Sequence, residues 1–390
     1  MMRRKIYGLI LVGMMLLMAG CSTDDVVKET TSAEGIAISF SCNYDNEEEN
    51  ETRAGHQGVM NTEDLYATGF GVMASVTANN DPEDPGYAGA NKPDLMYNQK
   101  VEFTFVGDMA DPLKGYWSYE PLKYWPTDLE HCYISAYAPY VEQPIANPGT
   151  TTGIYGISAN SVPPYIDYRR CDKPNQLVDL LWYYVEPTAI PAKTAQKEAG
   201  ILDMKMRHAL ARLEIKVALA SDVELDAGTK VLIEKITLTG QMAKTGRLHL
   251  YEQETVIENP DTEDEVTRYY PKWSGQTYDP AHSIQITNID NDDASYGIID
   301  SQVRYIEGMP YAWQPDGLST TAQNALSTGD RQTYIYLIPQ KNWSVTVQVK
   351  YKKLVEGQPI PESSTKSVTT EANPLKGNTP YVLNITLSDI

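Results

Sequence analysis

The sequence predicts an all-β protein built as two tandem β-sandwich domains, on three observations. Apolar and polar residues alternate over many short segments, the period of a half-buried strand. Those segments are punctuated by 24 Pro and 26 Gly, and 27 Tyr with frequent Thr and Val favour extended backbone. Strands and helices do not alternate in the βα order that builds a parallel sheet. A length of 390 residues suits about two domains. Hydrophobic residues make up 42% and charged ones 22%, too apolar for general disorder. Lys and Arg total 32 against 52 Asp and Glu, a formal charge of −20. With no cationic surplus to meet phosphates, a nucleic-acid partner is not expected.

The first element is an address. Arg3, Arg4 and Lys5 precede an apolar stretch over 6–18, and Ala19-Gly20 stand just before Cys21. This order is that of a secretory signal peptide over residues 1–20. Its apolar stretch falls short of the roughly 20 residues a membrane span needs. Leu17-Met18-Ala19-Gly20-Cys21 resembles a bacterial lipobox, which implies cleavage before Cys21 and lipidation of its thiol and new amino group. Several acyl chains on one residue give stable anchoring. Ser22-Thr23-Asp24-Asp25 looks like the surface-export signal of Bacteroidetes lipoproteins, with an acidic linker as the plainer reading. Losing residues 1–20, which hold three cations and no acid, takes the charge from −20 to −23.

The first half then reads as strands between turns. A polar tether over 22–35 leads to a strand over 36–42, with Ile36, Ile38, Phe40 and Cys42 on one face. The acidic run 45–51 repels itself into an exposed loop that ends in Thr52-Arg53-Ala54-Gly55. Strands are expected over 66–76, 101–106, 132–138 and 177–185, with an aromatic-rich segment over 116–125. Residues 143–165 are expected to be mostly loop, and 186–200 a linker. The domain boundary is placed near residue 203.

In the second half, Ala209, Ala211, Leu213, Ile215, Val217 and Leu219 share one face of a strand. Strands follow over 231–238, 334–338 and 343–351. Tyr381, Leu383, Ile385 and Leu387 form the inner face of the last one. The acidic stretch 252–267 reads as a loop, and 320–326 as one or two helical turns.

Motifs of catalysis are missing from this pattern. None of the five His has metal-ligand spacing, and there is no nucleophile elbow, P-loop or dinucleotide fingerprint. The acidic turn 290–293 fails the calcium-loop test, because Ser295 and Ser301 stand where Gly and Glu are required. No metal, cofactor or catalytic residue is expected. Cys132 and Cys171 can pair in an oxidising compartment or remain two small hydrophobes. His208 is expected to cap or line an interface. Tyr116, Trp117, Tyr119, Tyr124 and Trp125 either pack a core or form a platform that stacks sugars.

Taken in order, these pieces resemble the Bacteroidetes fimbrillin family, the Mfa-like and FimA-like pilins of type V pili. The resemblance rests on the lipobox, the early strand followed by Thr52-Arg53-Ala54, and Tyr124-Trp125-Pro126. It continues through residues 133–139, Asp179-Leu180-Leu181-Trp182, residues 206–213, and Pro374-Leu375-Lys376-Gly377-Asn378-Thr379-Pro380-Tyr381. It implies two transthyretin-like sandwiches: a tether and removable first strand over 21–53, an N-terminal domain over 54–202 and a C-terminal domain over 203–390. It also implies a surface lipoprotein of the outer membrane, held through Cys21 and assembled into a fimbrium. An Arg-specific surface protease would cut between Arg53 and Ala54, and the strand carrying Ile36, Ile38 and Phe40 would leave. Other pilin subunits would fill the groove by donor-strand exchange. The strand of Tyr381, Leu383, Ile385 and Leu387 has the alternation of a donor, and equally that of a strand completing its own domain. The alternative function is a monomeric surface lipoprotein that binds glycans or host ligands.

Overall fold

The structure is a computed structural model describing residues 31–32, 35–44, 62–77, 92–106, 115–125, 131–171, 179–184, 200–258, 260, 265–279, 283–288, 297–307, 313–314, 335–388 and 390. Cys21, Arg53, Ala54, the runs 45–51 and 290–293 and the helical turn expected over 320–326 lie outside these residues, as does the 186–200 linker apart from Gly200. The protein is all-β: among the described residues there is one helix and the rest of the regular structure is strand.

Seven strands of the first half form one sheet, in the spatial order Ser39–Tyr44, Ile201–His208, Leu181–Tyr184, His131–Ala138, Phe70–Thr77, Met96–Phe105 and Gly115–Ser118. Both faces are apolar because both are covered. Phe70, Val72, Ile134, Leu202 and Met204 line one core together with Phe40. Met73, Tyr133, Tyr137 and Trp182 point the other way, into a second core. The segment 66–76 departs from its expected strand. Residues Thr62–Thr68 form a helix, Gly69 ends it with φ +65°, and the strand starts at Phe70. A residue in that left-handed conformation closes a helix, and glycine adopts it without steric penalty.

The second core is roofed by a sheet that neither half builds alone. Its order is Val266–Tyr278, Ala243–Glu258, Tyr165–Arg169 and Gly153–Ile157, two strands from each half. Two stretches expected as loops therefore contain strand. In 143–165, Pro, Gly and Thr conceal the strand Gly153–Ile157. In 252–267, both ends belong to a long ribbon whose acids face cations across the strands. Glu258 meets Arg268 at 2.7 Å, and Glu252 meets Lys272. Ile154, Ile166, Leu248 and Leu250 form the ribbon sheet's inner face.

The second half packs two sheets over a third core. Tyr305–Glu307 and Ile335–Leu337 pair antiparallel with different parts of Ala211–Leu219, and Pro380–Leu387 pairs parallel with it. Facing them is a sheet ordered Trp313–Gln314, Ser283–Asn288, Thr229–Gln241, Gln340–Val355 and Ser364–Thr369; Ile298–Ile299 and Asn373–Leu375 pair at its flanks. Burial in 211–219 alternates without a break, so Leu213, Ile215 and Val217 meet Ile233, Ile236 and Val347 in the core.

The sheets change at Ala209 and Leu210. A boundary between 202 and 203 would divide the strand Ile201–His208, which belongs wholly to the first sheet. At this junction Arg170 is completely buried and its Nε donates to Ala243 O at 3.2 Å. His208 Nδ1 stands 2.7 Å from Asp179 Oδ2, so His208 is an interface residue. Cys132 lies in the first core and Cys171 in the second, and both are free thiols. Among the described residues no helix is long and apolar enough to cross a membrane.

Candidate functional site

The site is a strand-shaped groove and the segment that fills it. Ser39–Tyr44 lies parallel to residues 201–206, with Ser39 opposite Ile201, Phe40 opposite Leu202 and Cys42 opposite Met204. Its other edge is held where the strand begins. Ala37 bridges antiparallel to Tyr124, Ile38 N–H donates to Lys123 O at 2.8 Å, and Trp125 N–H donates to Ile36 O at 2.9 Å. The segment 36–44 is thus inserted between two walls contributed by distant parts of the chain.

Alternation chooses the side chains that fill the groove. Ile38, Phe40 and Cys42 are buried. Phe40 stands edge-on to Phe70 at 5.9 Å between ring centres and tilted against Tyr119 at 5.4 Å. Tyr119 donates its hydroxyl to Ile38 O at 2.7 Å. Burial pushes its pKa up to about 12, which keeps that donor protonated. Ile36, placed on the same face by the sequence pattern, is 40% exposed. It lies where the segment passes out of the core toward the two-stranded pairing of Thr31–Ser32 with Gly35–Ile36.

The last strand occupies a second seat of the same kind. Residues 380–387 run parallel to 212–219, so Leu383 faces Ile215, Ile385 faces Val217 and Leu387 faces Leu219. Ile385 and Leu387 are buried, while Tyr381 and Leu383 are partly buried against the same core. Among the described residues no strand pairs with the outer edge of 380–387. The N- and C-terminal strands therefore lie parallel to successive stretches of one rail, 201–208 and 211–219.

The first half of the rail, 201–208, escaped sequence reasoning. Leu202, Met204 and Met206 alternate in burial with Asp203 and Lys205, a readable signal, but the expected strand began only at 209. The wall residues Trp117, Tyr119 and Trp125 are buried, so this part of the aromatic cluster packs the core instead of offering a sugar platform. Tyr116 is exposed and Tyr124 partly exposed. Among the described residues no three His, Cys, Asp or Glu side chains gather as a metal site.

Cys42 supplies a built-in reporter. It is buried, and burial followed by the Asp203 charge pushes its thiol pKa upward. In the folded chain Cys42 is expected to resist a thiol reagent at pH 8 and to react at the rate of a free thiol once 36–44 leaves the groove. Timed labelling followed by peptide mass mapping checks this. Labelling of folded protein at the free-thiol rate would show that the strand is not seated.

The fold resembles that of a fimbrial protein from Bacteroides vulgatus with a TM-score of 0.50 and 20% identity, over 90% of this chain and 95% of the other. Two proteins described as putative cell adhesion proteins are more distant. The one from Bacteroides ovatus has a TM-score of 0.39 at 15% identity, over 91% of this chain and 92% of the other. The one from Bacteroides uniformis has 0.35 at 13%, over 91% and 94%. None of the curated proteins matches. The family described as fimbrillin-like matches residues 52–390, nearly the whole chain beyond the groove-filling strand. The chain belongs to the fimbrillin-like family.

Proposed function

We propose that this protein is a structural or accessory subunit of a fimbrium. It reaches the cell surface as a lipoprotein anchored through Cys21, and an Arg-specific protease activates it by cutting after Arg53. The observation that carries this reading is the groove: one terminal segment, 36–44, fills a slot whose two walls come from elsewhere in the chain. Membership of the fimbrillin-like family supports a fimbrial role over an enzymatic one.

The physics favours exchange over an empty groove. Removing 36–44 would expose the edge of 201–206 and the sockets of Ile38 and Phe40. Unpaired strand edges are templates for another chain. Each large apolar anchor returned to such a socket is worth about 1.5–3 kcal/mol. The segment 380–387 is suited to the task, because its side chains already meet a rail in parallel at every second residue.

Reach suggests how much chain would move. Residues 380–390 extended span roughly 35 Å, about what the last strand already covers in its own half. Ser364–Thr369 is also an edge strand, on the facing sheet. Peeling both would free residues 364–390, roughly 90 Å when extended. In this proposal 380–387 is the donor strand, and the freed residues ahead of it are the arm that carries it.

The test treats the chain from residue 22 onward with an Arg-specific protease. New N-termini are read by mass and the product is run unboiled on a denaturing gel. The expected result is a start at Ala54, loss of 22–53 and a ladder of multimers, or uptake of a synthetic 377–390 peptide. A chain left uncut, or cut with 36–44 still seated in the presence of excess peptide, would overturn the proposal.

A further inference from the structure

The loop before the last strand is bound to the junction by an unusual density of specific contacts. Asn378 has a left-handed backbone, φ 52°, which Asn tolerates better than most residues. Its N–H donates to Leu210 O at 3.0 Å, and its Oδ1 accepts from His208 N–H at 3.3 Å. Arg212 N–H donates to Thr379 O at 3.1 Å. Gly377 packs so closely that a Cβ there would lie 2.4 Å from Pro271 Cγ and 2.7 Å from Ala209 O. Lys376 Nζ sits over the Tyr270 ring, 4.7 Å from its centre, and its N–H donates to Tyr381 Oη at 2.8 Å.

The groups thus satisfied are those the rail exposes where it leaves one sheet for the next. Ala209 N–H donates to Leu180 O in the first half at 2.7 Å, and Ala209 O accepts from Trp273 Nε1 at 3.0 Å. The groups of His208, Leu210 and Arg212 are met by residues 378–379. Buried backbone groups left without partners are costly, so this loop and the junction hold each other in place.

We infer that residues 376–379 are a latch through which the C-terminal strand and the junction between the halves open together. The strand cannot leave its seat alone. Its departure pulls Asn378 and Thr379 off the rail and uncovers His208, Leu210 and Arg212 at the point where the halves meet. Donation of this strand and a loosened inter-half geometry are therefore one event. The inference rests on the proposed departure of the C-terminal strand, but its test needs no cleavage.

Hydrogen exchange of the intact, uncut chain distinguishes the outcomes. Asn378→Gly keeps the left-handed backbone and removes only the side-chain acceptor; Gly377→Ala drives the loop off Pro271 and Ala209. Both are expected to speed exchange about 10-fold or more over 380–387 and over 208–212 in parallel, with 229–241 unchanged. Leu387→Ala, which weakens the strand's seat without touching the loop, is expected to speed exchange over 380–387 and 208–212 together, because the strand cannot leave alone. Wild-type protection of 380–387 in both latch variants would overturn the inference. So would faster exchange of 380–387 with 208–212 unchanged in any of the three variants. Exchange raised uniformly, including 229–241, would mean global unfolding and would also count against a local latch. A negative result here leaves strand exchange after cleavage standing, and a failed exchange after cleavage leaves the latch standing.

Discussion

Phe40→Ala is expected to lower the free energy of unfolding by about 3–5 kcal/mol, the usual range for emptying a buried aromatic site. Phe40 is 5% exposed and lies between Phe70 and Tyr119, so its removal leaves a cavity lined by rigid rings. One wall of that cavity is Phe70, fixed in the sheet, and the other is Tyr119, held by its hydroxyl bond to Ile38 O, which limits collapse. Because folded domains are stable by only about 5–15 kcal/mol, the variant should be markedly weakened. Urea unfolding followed by tryptophan fluorescence would give the value, and Cys42 labelling in the same variant should quicken. A loss below about 1 kcal/mol would show that Phe40 is not an anchor of the groove. The same substitution in a synthetic strand should weaken its uptake.

Asp179→Ala is expected to be comparably damaging, about 3–5 kcal/mol, for an electrostatic reason. The Asp179 side chain is 1% exposed; its Oδ2 lies 2.7 Å from His208 Nδ1 and its Oδ1 accepts from Leu180 N–H at 2.8 Å. Removing one member of a buried pair strands the other in a poorly solvated place, which is costlier than losing the attraction. Leu180 also accepts from Ala209 N–H, so the damage falls on the junction itself. His208→Ala is expected to be damaging too, since it leaves the buried Asp179 carboxylate without its imidazole partner, although Leu180 N–H keeps its acceptor. The double variant should cost less than the two single losses added together, because the pair is broken only once. Additive losses in a double-mutant cycle would show that the two side chains are not coupled.

Much of the site was readable before any coordinates. The alternation of Ile38, Phe40 and Cys42, and of Tyr381, Leu383, Ile385 and Leu387, named the inward side chains, because a strand's period of two is local geometry. Its limits show at Ile36, which keeps the period and yet is exposed, since burial needs something to pack against. Composition concealed other strands. Glu-rich 252–258 forms a ribbon by pairing with 266–271, with Arg268 and Lys272 in reach of Glu258 and Glu252, and Gly153–Ile157 persists because Tyr165–Arg169 and Ala243–Glu258 extend its sheet.

The sequence by itself determined the all-β class and the inward face of those strands that alternation marks, because these depend on residues close together in the chain. Only the tertiary structure decided which strands are neighbours. Phe40 meets Leu202 and Leu383 meets Ile215 in parallel, and two strands of each half join in one sheet. Alternation fixes a face but carries no label for a partner, and many pairings satisfy it equally. The choice among them is made by packing and by buried backbone groups, such as those of His208, Leu210 and Arg212, that must find partners far away in the chain.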